Sequence, residues 1–178
     1  MKIEIVNGDI TKMVCGAIVN SANPALLPGG GVSGAIHRAG GPELTKAAAA
    51  HGWCHTGQSV ATSGYDLLAE ICIHTVGPVW RGGSHGEAIL LKDAYQSALG
   101  IADNQDVTTI AFPLISAGIY GYPLVDACVE AIKAITDYPR LNGTDIETVY
   151  IVVMDERIET ILRDLVKVHE YFQLSSKS

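Results

Sequence analysis

The chain has 178 residues, is 48% hydrophobic and carries a formal net charge of −7. That length suits one domain with a core large enough to need no disulfide or metal staple, and the acidic balance disfavours a protein that grips nucleic acid by neutralising many phosphates. No apolar run approaches the ~18 residues of a membrane helix, so no membrane partner is expected. From the N-terminus, Met1 to Val6 places Glu4 inside an apolar run and reads as a strand, not a signal peptide. The predicted strand covers Lys2 to Asn7. Gly8-Asp9-Ile10-Thr11 follows and starts a short helical turn through Met13. Asp9 there is either the cap of that turn or a carboxylate aimed at a ligand amine or hydroxyl. Gly16 to Asn20 is the next strand, with Ala17-Ile18-Val19 as a buried run.

The stretch from Asn20 to Arg38 organises the chain. It holds two Asn, two Pro and four Gly, so it cannot be regular throughout. It turns helical at Ser33 or Gly34. Strand, glycine-rich loop and helix start are the parts of an anion site, because glycine lets backbone approach a ligand and a helix start offers free N–H groups. Pro42 opens a second helix from Glu43 to about His51. His51 to Ser59 is a turn region, then strands span Ser59 to Ser63 and Ile71 to Val76. Gly77 to Gly83 is a loop, and a helix from Glu87 to Asp103 buries Leu91, Ala94, Ala98 and Ala102.

Thr108 to Phe112 is a strand, and Pro113 to Pro123 is a second glycine-containing loop at a strand end. The helix after it buries Leu124, Cys128, Val129, Ile132 and Ile135, and Pro139 is expected to end it. Thr148 to Met154 is continuously apolar, as a strand covered on both faces should be. The last helix starts near Glu156 and is expected to bury Ile158, Ile161, Leu162, Leu165 and Val168. One domain is expected over residues 1–172, with a polar tail over 173–178, disordered from Ser175.

Alternating strands and helices predict an α/β domain with helices on both faces of a largely parallel sheet. Ligands in such folds bind beyond the carboxyl ends of the strands. Asp9, the Asn20–Arg38 stretch and the Ser116–Tyr122 loop all follow strands, so they should converge on one cleft. Three tempting motifs fall away. Gly52, Gly57 and Ser59 nearly match a phosphate loop, but Gln58 replaces the lysine and a strand follows where a helix should. His51, Cys54 and His55 lack a fourth ligand at metal-binding spacing. Gly29, Gly31 and Gly34 satisfy GxGxxG, but no acid lies from Ala47 to Gly64 to hold a dinucleotide's ribose. Cys15, Cys54, Cys72 and Cys128 have no paired spacing and fit reduced thiols of a cytoplasmic protein.

Five segments in order carry a resemblance to the macrodomain family of the MacroD-like type. They are Gly8-Asp9-Ile10-Thr11, Ile18 to Asn23, Gly29 to His37, His74-Thr75-Val76-Gly77-Pro78 and Ile115 to Pro123. The resemblance implies a three-layer α/β/α fold around a mixed, largely parallel sheet, and a cleft for ADP-ribose. It also implies hydrolysis of ADP-ribosyl esters, either O-acetyl-ADP-ribose or mono-ADP-ribosylated proteins, with no cofactor and no metal. By position, Asp9 would accept from the adenine amine with the Ile10 N–H beside it. Gly31, Val32 and Ser33 would lie along the diphosphate and distal ribose. Ser116, Ala117, Gly118, Ile119 and Tyr120 would wrap the diphosphate with backbone N–H groups. Asn23 would hold the distal ribose, and Asn20 would tie the loop to the scaffold. Met154 either packs on the adenine or belongs to the core, and His37 either orients the loop or is a core histidine.

Hydrolases of this type usually carry Asp where this chain has Ser33. A serine hydroxyl can hold a water but is no useful general base near neutral pH. Asn23 and Ser33 are therefore the candidate catalytic residues of a slow enzyme that positions water. The alternative is a reader that binds ADP-ribose without cleaving anything.

Overall fold

The computed structural model describes residues 1–178. Six strands form one sheet: β1 (Lys2–Asn7), β2 (Ala17–Ser21), β3 (Ser59–Ser63), β4 (Ile71–Thr75), β5 (Thr109–Phe112) and β6 (Thr148–Val153). Their order is β1-β6-β5-β2-β4-β3. All pairs are parallel except β3 with β4, which a short connection joins as neighbours. Apart from the short turn between β1 and β2, which do not pair, the other connections run through helices, as parallel pairing requires. The helices are α1 (Gly31–Gly40), α2 (Pro42–Ala49), α3 (Glu87–Asn104), α4 (Leu124–Asn142) and α5 (Glu156–Ser175), and a 3-10 turn covers Ile10–Lys12.

Side-chain alternation divides the core into two layers. Ala17 and Val19 of β2, Ile110 and Phe112 of β5, and Ile151 and Val153 of β6 pack with α3, α4 and α5. Ile18, Ala111 and Val152, one residue out of phase, pack on the other side with Ile36 of α1 and Leu44 of α2. The period of two thus buries both faces, and the three-layer α/β/α architecture follows.

Several expectations need correction. The first helix starts at Gly31, not at Ser33 or Gly34, because Gly31 enters it at φ +56°, a conformation most residues avoid. Pro139 does not end α4. It lies in the last turn, where the helix continues to Asn142 and the Gly143 amide closes onto the Pro139 carbonyl. Val129 of α4 is exposed, since the buried stripe runs through Ala127, Cys128, Ala131 and Ile135 and leaves it to one side. Val168 of α5 is exposed as well. At 20 residues α5 spans about 30 Å, whereas the six residues of β1 beside it span about 20 Å, so the last turns have no sheet to cover. That helix runs through Ser175, into the range assigned to the tail.

Candidate ligand-binding cleft

The carboxyl ends of β1, β2, β5 and β6 open onto a cleft of about 710 Å³. The structure brings all the sequence-predicted site residues to it: Asp9 and Ile10, Asn23, Gly31 to Ser33, and Ser116 to Tyr120. Met154 also lines it and is 72% exposed, which removes the core reading.

At the β1 end, Asp9 caps the 3-10 turn. Its Oδ1 accepts from the Thr11 amide at 2.9 Å and the Thr11 hydroxyl at 2.7 Å. These bonds leave Oδ2 unengaged, so cap and ligand acceptor are compatible roles. The Thr11 hydroxyl, then its amide, hold the Asp9 carboxyl below its ordinary pKa. Asp155, the N-cap of α5, stands at the same cleft and uses its Oδ1 in the same way, on Arg157 and Ile158 amides.

After β2 the chain crosses the cleft floor. Asn23 clamps the loop: its Nδ2 donates to the Leu27 carbonyl at 2.8 Å and its Oδ1 accepts from the Leu27 amide at 3.2 Å. One Nδ2 hydrogen and one Oδ1 lone pair remain for a ligand. Gly30 caps α1 without any side-chain bond, so the Gly31, Val32 and Ser33 amides, first in the helix, have no intrahelical acceptor. Ser33 is 6% exposed, and its Oγ accepts from the Gly29 amide at 3.4 Å, which leaves its hydroxyl proton free to donate.

The opposite wall follows β5. Ser116 sits at φ +66°, a strained conformation for serine, and its buried Oγ has no hydrogen-bond partner. The Tyr122 amide bonds the Ser116 carbonyl at 2.9 Å and closes the loop. The amides of Gly118, Ile119 and Tyr120 find no acceptor in the protein. The two walls nearly meet at the mouth, where a Cβ built on Gly30 would lie 3.4 Å from Ile119 Cδ1.

Among the cleft residues Asp9, Tyr120 and Asp155 are the titratable ones, and no Lys, Arg, His or Cys lines it. Burial pushes the Tyr120 hydroxyl pKa up, so that group stays neutral. An anion held here meets backbone amides and neutral side-chain donors but no cation, and a reaction here has no protein imidazole, amine or thiol within the cleft.

Behind the floor lies a buried relay. Asn20 Nδ2 meets His74 Nδ1 at 3.0 Å, from directly opposed positions on β2 and β4. His74 Nε2 meets Thr62 Oγ1 at 3.0 Å, and that hydroxyl donates to the Ser63 carbonyl. Thr62 has spent its proton, so Nε2 carries the imidazole hydrogen and Nδ1 accepts from Asn20. Burial first, then the neighbouring His37 and His51, push the His74 pKa down to about 4. His37 points away from the cleft and bonds Thr45 at 2.8 Å, joining α1 to α2. Cys54 is buried, His55 is exposed and His51 meets the Ala61 carbonyl; no group of three or more His, Cys, Asp or Glu is placed to hold a metal.

The sequence reading missed Pro113, Leu114, Val152, Val153, Asp155 and Ile158 as cleft lining. For the first five the only signal was position at or just beyond the ends of two predicted strands, while Ile158 reads as part of the buried stripe of the last helix. It also missed Gly77, whose Cα hydrogen faces Ser116: a Cβ there would lie 2.3 Å from Ser116 Oγ.

A family model, the Macro domain, matches residues 19–131. A macro domain-containing protein of Ralstonia nicotianae is 49% identical over 147 residues, covering 83% of this chain and 84% of that protein. The O-acetyl-ADP-ribose deacetylase of Escherichia coli K12 is 46% identical over 159 residues, 87% of this chain and 89% of that enzyme. Among solved structures, a variant of the Oceanobacillus iheyensis macrodomain with ADPR superposes with a TM-score of 0.88 at 39% identity, covering 95% of this chain and 94% of that one.

Proposed function

The chain belongs to the macrodomain family, and from that premise we propose that its cleft binds ADP-ribose and that it hydrolyses ADP-ribosyl esters. O-acetyl-ADP-ribose is the small substrate, and mono-ADP-ribosyl groups on protein carboxylates are the larger ones. One observation carries the reading. Two facing sets of unbonded amides, Gly31 to Ser33 and Gly118 to Tyr120, frame a cleft that holds no cation. Oriented backbone donors of this kind bind a diphosphate locally whatever the net charge of the protein. Asp9, ionised and acceptor-only through its remaining oxygen, suits the adenine amine at the far end, with the Ile10 amide beside it. Val153 and Met154 supply the apolar flank for the base.

Hydrolysis follows from the same geometry. Water adds to the ester carbonyl, the acyl–oxygen bond breaks, and the acid leaves with a ribose hydroxyl regenerated. Ser33 donates its free hydroxyl proton to hold that water, and the unused amide valences of Asn23 hold the distal ribose. No side chain of the cleft near them is a base at neutral pH, so a phosphate oxygen of the ligand takes the water's proton and passes it to the leaving ribose oxygen. A positioned side-chain base typically contributes about 10²–10⁴-fold, and this chain works without one. The second reading, a binding module that cleaves nothing, is favoured by that same Ser33. Four free cysteines suit the reducing cytoplasm, where we place the protein.

The deciding experiment is a time course of acetate release from O-acetyl-ADP-ribose, and of ADP-ribose release from a glutamate-modified protein, with Ser33→Asp run alongside. Release by the native chain, accelerated in Ser33→Asp, is expected. Release by Ser33→Asp alone establishes the reader. No binding of ADP-ribose in calorimetry overturns both readings.

A further inference from the structure

Glu87 is the first residue of α3 and yet is 1% exposed. Acids at helix starts ordinarily face solvent; this one turns back under the preceding loop. Its Oε2 accepts from the Arg81 amide at 3.0 Å and the Gly83 amide at 2.8 Å, and its Oε1 accepts from the His85 amide at 2.5 Å. Gly82 and Gly83, at φ +96° and +90°, let the backbone curl its N–H groups around the carboxylate. Burial would raise the Glu87 pKa, but these amides outweigh it and hold the group at about 2, ionised throughout the working range.

The loop so gathered seats Trp80. A Cβ on Gly83 would fall 2.8 Å from the indole Cη2, so bare backbone lies against that ring. The Trp80 amide donates to the Tyr120 carbonyl at 2.8 Å, and its ring meets Tyr122 edge-on at 4.7 Å. Tyr120 is the cleft wall. Neither Glu87 nor Trp80 lines the cleft, yet an unbroken series of contacts joins the carboxylate to the amides that face the ligand.

We propose that Glu87 is a positioning residue, a buried strut that fixes Trp80 and through it sets the Ser116–Tyr122 wall for diphosphate binding. The last link rests on the reading that this wall holds the ADP-ribose diphosphate. Removing the strut leaves three amides without an acceptor, so the 81–85 loop opens to water and Trp80 loses its seat.

The chain has two tryptophans. In a Trp53→Phe background, where the replaced residue is 57% exposed, Trp80 is the sole reporter. Acrylamide quenching of the free protein is measured beside calorimetric ADP-ribose affinity, for Glu87→Ala and Glu87→Gln, with circular dichroism melts to verify folding. Glu87→Ala is expected to raise Trp80 quenching toward that of a solvated indole and to weaken ADP-ribose about tenfold, the scale of one lost hydrogen bond to the ligand. Glu87→Gln keeps one acceptor oxygen and should fall between; it carries the test if Glu87→Ala does not fold. Unchanged quenching overturns the strut. Raised quenching with affinity within about twofold of the parent, the scatter of a neutral surface change, overturns the positioning role. If the parent itself binds no ADP-ribose, the functional reading fails, while quenching still decides whether Glu87 holds Trp80.

Discussion

Across the cleft, the β2–α1 loop and the β5–α4 loop both follow a parallel strand and both present unbonded amides, but they are held open by different means. The first is secured by side chains. Asn23 clamps Leu27, Ser33 Oγ receives the Gly29 amide, and the Asn20–His74–Thr62 relay fixes the strand beneath. The second is secured by close approach. Gly77 presses against Ser116, Tyr122 closes on Ser116, and Trp80 binds Tyr120 from outside. The first wall therefore carries the polar side chains proposed to act, Asn23 and Ser33, and the second carries shape. The difference teaches that two loops alike in composition can be vulnerable to opposite insults: loss of a polar group for one, gain of a methyl group for the other.

The largest effect should come from the second wall. Gly77→Ala places a methyl group 2.3 Å from Ser116 Oγ and 2.4 Å from Ile115 Cγ2, both buried. Overpacking of this kind destabilises by about 3 kcal/mol, and ADP-ribose affinity should fall further than stability alone predicts. Denaturant melts with calorimetry check it; a variant that binds like the parent would show that the wall is not held by close approach.

Acid should instead attack the first wall. The His74 pKa is depressed from 6.5 to about 4 in the folded chain, chiefly by burial. Between those values the unfolded chain binds a proton that the folded chain refuses, so stability falls as pH drops through that window and is whole above about pH 6.5. Going from pH 7.5 to 5.0 should cost about 2 kcal/mol at this site. Urea midpoints at the two pH values measure it, and a His74→Asn variant should lose most of the pH dependence. An equal dependence in that variant would assign the effect elsewhere.

The smallest effect is Asn23→Ala. Two hydrogen bonds to Leu27 disappear at a half-exposed site, which should cost about 1 kcal/mol of stability. Activity should drop more than stability if the amide also holds the distal ribose. Parallel losses in melting and in turnover would reduce Asn23 to a clamp.

Much of this was legible in the chain because it is written locally. Ala17-Ile18-Val19 is apolar without interruption because both faces of β2 are covered, and the run announces that by itself. Asn-, Pro- and Gly-rich stretches at strand ends announce loops, and parallel topology sends loops at carboxyl ends to one place. Val129 and Val168 misled because helical spacing identifies a stripe but not its width or the length of sheet beneath it. Pro139 misled because a proline in a last turn, with Tyr138 anchored on Asp103 at 2.7 Å, can be carried by packing.

By itself, then, the sequence determined the succession of strands and helices, the two glycine-bearing loops and the absence of an acid at Ser33, since each depends on residues near one another in the chain. Tertiary structure alone decided the rest: that Asn23 spends half its amide on Leu27, that Gly77 must be bare because Ser116 lies against it, and that Glu87 turns inward to hold Trp80. The physical reason is that a contact between distant segments exists only once the sheet has set their separation, and no local pattern encodes a distance between loops that the fold brings together.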